Sequence, residues 1–573
     1  MIEEITKLLK IASEKVGITD PVIHLEHPED INHGDFSSNV AMVHAKALKV
    51  NPKVLAEKIV LEFNSLVSAS DSKDNILPAE VAGPGFINFK IIDSFFINKI
   101  VEISKDKKAL EDFGKNESLK GKKIIIEHTQ PNPFKEFHIG HLMNNTIGES
   151  IARIYKESGA DVKMATYHGD VGMHVAKTIW AMLQSGEFQS DISYLGKMYA
   201  QGSEKYESDE NIKKEIVEIN KKVFERTDEK INKAYDFGRA FSLEYFDSIY
   251  KRLGSNFDNH FYESESGKIG KDIVLKFLDK GVFEKGDNDA VVFKGENFVP
   301  KTHTRVFLNG QGLPTYEAKE VGLAQMKLKY LSGYDSSITI TANEQDAFFN
   351  VVEVAIQQVF PELKGKLFHL SHGMLKLPSG KMSSRTGSII SAESLIDQTK
   401  EKVFEKIADR NFDTKEKENI AETVAIAAIK YSILRQSIGG DIIFDFDKSL
   451  SFEGDSGPYL QYATVRASAV VSKAQHANIP ETISEKPEKS DLLEKLLLRF
   501  PEVIEHARVE YAPHFIVTYL TELASTFNSY YANNQIIDEK NALSSYRVVL
   551  SKVFVQVMKN GLNLLGIKVP ERM

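Results

Sequence analysis

Two histidines three residues apart, His138 and His141, stand in a segment that can bind phosphate groups. A continuous apolar run, KKIIIEHT at 122–129, precedes them and has the length of a buried parallel strand. A helix that begins just after such a strand offers unpaired N–H groups and the positive end of its dipole. Gly140, between the histidines, lets a triphosphate approach the backbone. A metal-binding pair is the poorer interpretation, because no carboxylate or cysteine cluster accompanies the imidazoles.

A second segment, LKLPSGKMSSRTGS at 375–388, combines Lys381 with serines and an arginine between glycines. Glycine-bounded loops that carry lysine, arginine and hydroxyl groups can close on the phosphates of a transition state. Taken alone, the segment also has the composition of a solvated basic loop. Its interpretation therefore depends on the histidine segment that precedes it in the chain.

Alternating strands and helices must position both segments. The pattern predicts a helix at about 139–158, then a strand at 162–170. After an interruption, strands at 336–342 and 367–372 flank a helix at about 345–359. Strand–helix–strand repeats of this kind form a parallel sheet. One sheet domain split by an insertion is the economical topology.

The composition excludes several classes of protein. The chain has 573 residues, no cysteine, and 72 lysines and arginines against 81 acidic residues. The absence of cysteine excludes disulfides, thiolate zinc sites, iron–sulfur clusters and a cysteine nucleophile. The net charge of −9 excludes a globally basic nucleic-acid coat, but it leaves room for a local basic patch. No apolar run approaches the ~20 residues that cross a bilayer, so we expect a cytoplasmic multidomain protein with no membrane partner.

His138-Ile139-Gly140-His141 and Lys381-Met382-Ser383-Ser384-Arg385 together resemble the HIGH and KMSKS signatures of class I aminoacyl-tRNA synthetases. The resemblance narrows to the arginyl-tRNA synthetases and covers essentially the whole chain. The matching segments are INHGDFSSNVAM (31–42), AGPGFINF (82–89), EHTQPNPFKEFHIGHLMNNTIGESIAR (127–153), HGDVGMHVA (168–176), FDKSLSFEGDSGPYLQYATVRA (446–467), PEVIEHARVEYAPHFIVTYLTELASTFNSYY (501–531) and GLNLLGIKVPERM (561–573).

This resemblance implies an arginine–tRNA ligase. Such an enzyme activates L-arginine with ATP to arginyl-adenylate and pyrophosphate, then transfers the arginyl group to the 3′-terminal adenosine of tRNA(Arg). The resemblance implies catalytic roles for His138, His141 and Lys381. The implied ATP contacts are His138, Gly140, His141, Met374, Leu375, Lys381, Met382 and Ser383. We expect Mg²⁺ to arrive with ATP, held chiefly by phosphates and water, and we expect no tightly bound metal.

One departure from the KMSKS pattern adds a further candidate. Ser384 stands where the signature has its second lysine. Lys135, three residues before His138, can place its ammonium on the same phosphates. We therefore predict that Lys135 takes part in catalysis.

An arginine pocket is predicted around Tyr316 and Glu320. A guanidinium needs a carboxylate, ideally bidentate, with an aromatic face beside it. The two residues stand at i and i+4 in GLPTYEAKEVGLA, so a helix places them on one face. A surface acid beside a packing tyrosine is the alternative. By resemblance, Tyr316 and Glu320 grip the arginine side chain, whereas Glu127, Asn132 and Gln345 hold its backbone groups.

The resemblance also implies the domain organisation. We expect a small α+β N-terminal tRNA-binding domain at 1–115 and an α/β Rossmann-like catalytic domain at 116–390, split by an insertion at about 175–300. A helical connecting region at 391–450 and an all-α anticodon-binding domain at 451–573 follow.

An acidic protein must bind tRNA through local patches, and unpaired bases are recognised by exposed aromatic and polar side chains. The candidates are Phe86, Asn88, Tyr459, Tyr462, Arg466 and Tyr530. We expect a monomer. Two alternatives remain: another class I synthetase, or a non-catalytic tRNA-binding protein descended from a synthetase. A small nucleotidyltransferase with the same histidine motif would not need the helical C-terminal part.

Overall fold

The computed structural model describes residues 1–378, 391–477, 479–480 and 482–573. These residues divide into two compact units. Unit 1 comprises residues 1–110, 473–498 and 535–553, and unit 2 comprises residues 111–472, 499–534 and 554–573.

Helices dominate the part of the chain that the structure describes. The helices are α1 (Ile2–Lys15), α2 (Val40–Leu48), α3 (Pro52–Ser68), α4 (Asp93–Lys105), α5 (Lys107–Glu111), α6 (Ile139–Glu157), α7 (Met173–Ser185), α8 (Ile192–Ser208), α9 (Glu210–Glu225), α10 (Glu229–Leu253), α11 (Glu263–Leu278), α12 (Tyr316–Tyr330), α13 (Asp346–Val359), α14 (Ala392–Lys406), α15 (Thr414–Leu434), α16 (Phe446–Ser449), α17 (Gly457–His476), α18 (Leu492–Val509), α19 (His514–Asn533) and α20 (Ser544–Leu564). The strands are β1 (Phe36–Ser38), β2 (Glu80–Ala82), β3 (Phe86–Phe89), β4 (Lys123–Glu127), β5 (Asp161–His168), β6 (Asn259–Tyr262), β7 (Glu284–Lys285), β8 (Val291–Phe293), β9 (Arg305–Leu308), β10 (Ser336–Ala342), β11 (Leu367–His372), β12 (Leu375–Lys376) and β13 (Ile442–Ile443).

Unit 1 contains a three-stranded antiparallel sheet in the order β1-β3-β2, packed against helices. Strand β3 alternates: Ile87 and Phe89 are buried in the core, whereas Phe86 and Asn88 are only half-buried. Helix α3 begins at Pro52, and the side chain of Asn51 caps it by accepting from the backbone N–H of Lys53. The predicted small α+β fold is confirmed.

A buried ion pair joins the N-terminal residues of unit 1 to its residues 473–498. Asp35 is almost completely buried and lies 2.8 Å from the ammonium of Lys495. It also accepts a 2.7 Å hydrogen bond from the backbone N–H of Ile91. Because both charges are buried, each depends on the other for its stabilisation. Unit 1 therefore combines residues that the sequence pattern placed in separate domains.

Unit 2 is built on a five-stranded parallel sheet in the order β11-β10-β4-β5-β6. Strand β4 lies in the middle, and Ile124, Ile125 and Ile126 are buried there as a parallel strand covered on both faces requires. The predicted parallel sheet is confirmed. Strand β6, with the sequence NHFY, lies within residues 175–300, which the pattern assigned to the insertion.

Two segments of the chain are inserted between consecutive strands of the sheet. Helices α7–α10 lie between β5 and β6 and share a core that includes Trp180, Leu195 and Tyr235. A three-stranded antiparallel sheet, β7-β8-β9, lies between β6 and β10. The described elements from residue 392 onward are helices, apart from β13, which pairs in parallel with β12. Among the described residues, no helix is both long and apolar enough to cross a membrane.

The topology fixes where a ligand binds. The chain runs from β4 outward to β5 and β6, then returns to the other side of β4 with β10 and β11. Strand order thus reverses between β4 and β10. In open α/β sheets, ligands bind at the carboxyl ends of the strands beside such a reversal. Glu127 ends β4 and Ala342 ends β10 there.

Candidate active site

His138 and His141 form the N-terminus of α6. The Nδ1 atom of His138 accepts hydrogen bonds from the backbone N–H groups of Gly140 at 3.1 Å and His141 at 3.3 Å. The Nδ1 atom of His141 accepts from the backbone N–H of His138 at 3.2 Å. The two rings stack with their centroids 3.5 Å apart. A Cβ at position 140 would lie 2.9 Å from His138 Cε1, so this stack needs glycine there.

These hydrogen bonds fix the protonation of both imidazoles. Each Nδ1 is an acceptor, so in the neutral ring the proton resides on Nε2. Burial, followed by the charge of Lys135, lowers the pKa of His138 to about 4. Burial also lowers the pKa of His141, with His138 and Lys135 adding to the effect. Both rings are therefore neutral near pH 7 and each has an Nε2–H group to donate.

The loop between β4 and α6 is strained and carries Lys135. Thr129, Gln130 and Phe134 have positive φ angles of 76°, 48° and 68°. Conformations of this kind cost of order 1 kcal/mol each and persist at functional sites where the surroundings impose them. The backbone N–H of Phe134 is held by the hydroxyl of Ser242 at 2.9 Å. The ammonium of Lys135 lies 4.6 Å from the ring centroid of Tyr199 on α8.

Glu127 is buried at the carboxyl end of β4 and is paired. Its Oε2 atom lies 2.8 Å from the ammonium of Lys327 on α12, without hydrogen-bond geometry. Its Oε1 atom accepts from the side-chain amide of Gln130 at 2.5 Å. Lys327 also donates to the hydroxyl of Ser337 at 3.2 Å. Glu127 is therefore a preorganised carboxylate at the strand reversal.

Glu320 lines a cavity between α12 and α13, above β10 and β11. Lys327, Thr339, Phe349 and Glu353 are among the other residues around it. No ion pair joins Glu320 to a cation in the described part of the chain. Burial, and then the charge of Glu127, raises the pKa of Glu320 to about 8. The cavity thus holds a carboxyl group that a bound cation would ionise.

Tyr316 and Lys319 lie at the start of α12, one turn before and beside Glu320. Tyr316 is 58% exposed, and the ammonium of Lys319 lies 4.8 Å from its ring centroid. Lys319 is itself buried in an ion pair with Glu263, the first residue of α11. Tyr316 and Glu320 both belong to α12 and stand four residues apart, as the sequence predicted.

Asn132 lies where the ends of β4, β5 and β6 meet. A Cβ at Gly169 would stand 2.3 Å from Asn132 Oδ1 and 3.3 Å from Glu263 Oε1. Only glycine thus lets Asn132 and Glu263 approach the end of β5. Gln345 is exposed directly after β10, and no side-chain hydrogen bond is formed by it among the described residues.

Three predicted residues, Lys381, Met382 and Ser383, lie outside the described residues. The chain on either side of them is anchored. Met374 donates its backbone N–H to Asp441 at 2.8 Å, and Leu375 is buried in β12. On the other side, Ser391 forms an antiparallel bridge with His138, and the N–H of Ala392 donates to the carbonyl of Phe137 at 2.8 Å.

Asp170, two residues after the end of β5, is buried at the centre of a set of hydrogen bonds. This carboxylate accepts from Arg239 at 2.8 Å, from the hydroxyl of Tyr235 at 3.1 Å, and from both the N–H and the hydroxyl of Ser264 at 2.8 and 2.7 Å. It therefore ties the end of β5 to α10 and to the start of α11, which carries Glu263. Within the described residues, no group of three or more potential metal ligands is present.

Comparison with known proteins identifies the family. A family model described as "tRNA synthetases class I (R), catalytic domain" matches residues 105–446. "Arginyl tRNA synthetase N terminal domain" matches residues 2–91, and "DALR anticodon binding domain" matches residues 460–573. The arginine–tRNA ligase of Borrelia hermsii is 31% identical over 583 residues, covering 98% of this chain and 96% of that protein.

The chain belongs to the arginyl-tRNA synthetase family. It is an arginine–tRNA ligase. The arginine–tRNA ligase of Treponema denticola is 31% identical, covering 96% of this chain and 95% of that protein. The structure of Thermus thermophilus arginyl-tRNA synthetase matches the fold with a TM-score of 0.81 at 22% identity, over 100% of both chains. That of Plasmodium falciparum matches with a TM-score of 0.78 at 19% identity, covering 100% of this chain and 99% of that one.

Within this arginyl-tRNA synthetase, three of the predicted tRNA contacts cluster between α17 and α19. Arg466 donates to the hydroxyl of Tyr462 at 2.9 Å and to Asn528 at 3.3 Å. Asn528 in turn donates to the hydroxyl of Tyr459 at 3.1 Å. Tyr530 lies on α19. Phe86 and Asn88 share the half-buried face of β3 in unit 1, and Asn88 accepts from Ser37 at 2.9 Å.

Sequence reasoning missed Glu263, Lys319 and Lys327 at this site of the synthetase. Glu263 follows β6, a strand too short and too polar to be recognised by hydrophobic pattern. Lys327 lies seven residues after Glu320 on α12, and that spacing was a signal that both face one side of the helix. Asp170 lay in a segment already matched to the family, but its role required the fold.

Proposed function

We propose that this arginine–tRNA ligase forms arginyl-adenylate in the crevice between β4 and β10. The carboxylate of L-arginine attacks the α-phosphorus of ATP and the bond to pyrophosphate breaks. The 2′-hydroxyl of the 3′-terminal adenosine of tRNA(Arg) then accepts the arginyl group, and AMP leaves. The observation that carries this assignment is the division of the crevice into two electrostatic halves. Buried carboxylates line one half, and neutral imidazoles with a lysine line the other.

Glu320 binds the guanidinium in this proposal. Glu127 and Glu263 already have lysine partners, whereas Glu320 has no ion-pair partner among the described residues. A guanidinium buried without a carboxylate would be an unpaired charge, which costs several kcal/mol. Arginine supplies the missing cation, and Tyr316 supplies an aromatic ring one helical turn away.

Glu127, Asn132 and Gln345 hold the α-amino and carboxylate groups of arginine. All three stand at the carboxyl ends of adjacent strands or in the loops that follow them. Glu127 is held in place by Lys327 and Gln130, so it need not reorganise to meet an ammonium. These positions orient the substrate carboxylate toward the loop that carries His138.

His138 and His141 stabilise the charge that grows on the phosphate oxygens. Their Nδ1 atoms are occupied by backbone donors, so their Nε2–H groups are the ones available to ATP. Gly140 is the remaining ATP contact of this segment and leaves room for the His138 ring, and Lys135 adds a positive charge beside the histidines. Lys381, Met382 and Ser383, with Met374 and Leu375, complete the ATP contacts. The bridge between His138 and Ser391 supports this, because Ser391 follows Lys381, Met382 and Ser383 in the chain and lies beside the histidines.

Several partner assignments belong to the same proposal. ATP arrives with Mg²⁺, which phosphates and water coordinate. The enzyme acts as a cytoplasmic monomer. Its domains lie at 1–115, 116–390, 391–450 and 451–573. Phe86, Asn88, Tyr459, Tyr462, Arg466 and Tyr530 are the tRNA contacts.

Amino-acid-dependent exchange of pyrophosphate into ATP tests the proposal, with and without tRNA. Arginine should support exchange, whereas lysine and citrulline should not, because an ammonium cannot form the bidentate contact and citrulline carries no charge. Exchange driven by another amino acid would mean a different specificity. Absence of exchange under all conditions, with tRNA still bound, would indicate a non-catalytic tRNA-binding protein.

A further inference from the structure

Helix α8 lies against the loop that precedes the histidines. The ring of Tyr199 on α8 has the ammonium of Lys135 4.6 Å from its centroid. Gly196, one turn earlier, faces the neighbouring residue: a Cβ there would stand 3.5 Å from an oxygen of Glu136. Helix α8 is therefore packed on both Lys135 and Glu136, which precede the HIGH segment by only a few residues.

The Tyr199 ring that contacts Lys135 does not neutralise the positive charge of the lysine. No ion pair joins Lys135 to a carboxylate in the part of the chain that the structure describes. An aromatic ring attracts a cation through its quadrupole and does not neutralise it. A carboxylate in the same place would compete with the phosphates of ATP for the ammonium. An aromatic ring can hold the lysine side chain in place and still leave its positive charge available to an anion.

We propose that Tyr199 is a positioning residue whose ring holds the Lys135 ammonium beside His138, ready for the triphosphate. This inference rests on the proposed role of Lys135 in phosphate binding. The lysine side chain has four rotatable bonds, and fixing it before ATP binds reduces the ordering required at that step.

Tyr199 interacts electrostatically with residues on both sides of the proposed crevice. Burial alone raises the pKa of Tyr199, but the nearby charge of Lys135 is the largest of the effects that bring it below its ordinary value. The same ammonium lowers the pKa of His138, second only to burial. Tyr199 also raises the pKa of Tyr316, after burial and Glu263. The phenol thus stands near both the phosphate lysine and the arginine pocket.

Two substitutions at this position separate the ring from the hydroxyl. Tyr199→Phe keeps the ring and should reduce kcat/KM for ATP in pyrophosphate exchange by less than about threefold. Tyr199→Leu removes the ring and should reduce it about tenfold, which corresponds to ~1.4 kcal/mol of barrier. The KM for arginine should change little in either variant. Tyr199→Met provides a second ring-free variant if the leucine enzyme unfolds early on heating.

Tyr206 offers a matched control on the same helix. Its ring has Lys177 4.2 Å and Lys213 5.7 Å from the centroid, yet neither lysine belongs to the proposed site. Tyr206→Leu should leave kcat/KM for ATP unchanged. A loss equal to that of Tyr199→Leu would mean that any damage to α8 slows the reaction, and it would overturn the inference.

A double-mutant cycle with Lys135→Met decides whether Tyr199 acts through the lysine. In the Lys135→Met enzyme, Tyr199→Leu should have no further effect on kcat/KM for ATP. If it lowers the rate tenfold again, Tyr199 acts elsewhere and the inference fails, while the role of Lys135 stands. If Lys135→Met alone is fully active, the proposed role of Lys135 fails, and the inference fails with it.

Discussion

The two halves of the proposed crevice differ in the charges of the side chains that line them. On the proposed arginine side, Glu127 and Glu263 are buried and each is paired with a lysine, whereas Glu320 forms no ion pair among the described residues. On the phosphate side, His138 and His141 are neutral and Lys135 faces a tyrosine ring. The first half is arranged to receive a cation and the second to receive an anion.

The difference shows how each half prepares for its substrate. Buried carboxylates are costly without partners, so Glu127 and Glu263 are each paired with a lysine, and we propose that bound arginine pairs with Glu320. Neutral imidazole donors carry no such cost, so the phosphate half is ready without internal ion pairs. Substitutions on the two sides should therefore change different kinetic constants.

The largest effect is expected at the histidines. His138→Ala and His141→Ala should each lower the rate of adenylate formation roughly 10²–10³-fold, because their donors act where charge grows in the transition state. The KM for arginine should change little. Pyrophosphate exchange with saturating arginine measures the effect.

His138 has a second role as the N-cap of α6, so its alanine variant also loses about 1 kcal/mol of stability. His138→Asn is the control, since asparagine can cap the helix but has no Nε2–H. It should be more stable than the alanine variant on thermal unfolding and still slow. Normal turnover in both alanine variants would show that the histidines do not stabilise the transition state.

Glu320→Gln should act on the other side of the crevice. It keeps the size of the side chain and removes the charge that the guanidinium requires. An uncompensated charge of this kind costs ~3 kcal/mol, so the KM for arginine should rise about 10²-fold with the KM for ATP nearly constant.

Glu353 is a matched carboxyl group for this test. It lines the same cavity from α13, and burial raises its pKa to about 7. Glu353→Gln should leave the KM for arginine within about threefold of the wild-type value, because Glu353 is not the proposed partner of the guanidinium. If the Glu353 variant loses arginine affinity and the Glu320 variant does not, the assignment of the pocket residue is wrong.

Lys135→Ala should reduce activation roughly 30-fold, the size of a lost charge-assisted contact of ~2 kcal/mol. Adding Ser384→Lys restores a positive charge at the second lysine position of the KMSKS-like loop, and it should recover part of the loss. Lys197→Ala, on the exposed side of α8, is the control and should be silent. Strictly additive effects of the Lys135 and Ser384 changes would argue against a shared phosphate target.

The smallest effect distinguishes the halves by pH. Because the pKa of Glu320 is raised to about 8, its carboxyl group is mostly protonated at pH 7 before arginine binds, and it ionises as the pH rises. Arginine binding should therefore strengthen roughly tenfold between pH 6 and pH 7. The pKa of His138 is about 4, so the histidine side should show no change over that interval. An arginine KM that is flat with pH in wild type, or one that still varies in Glu320→Gln, would contradict this account.

Much of the fold was predictable because hydrophobic pattern reports burial directly. The predicted strands at 336–342 and 367–372 match β10 and β11, and the predicted helix at 139–158 matches α6 to within one residue. Strand β6 was not predictable in this way. Its four residues, NHFY, pair with β5 only because the sheet edge is available to them.

The sequence by itself determined the parallel strands, the family, and the types and spacing of the residues in the two proposed phosphate motifs. Those features are local: residue type and spacing along one strand or helix suffice to specify them. Only the tertiary structure decided which charges are paired. Lys327 meets Glu127 across 200 residues of chain and Lys319 meets Glu263 across 56, because strand order and helix packing bring them together. Burial then raises the pKa values of Glu320 and Glu353, the two carboxyl groups that line the cavity.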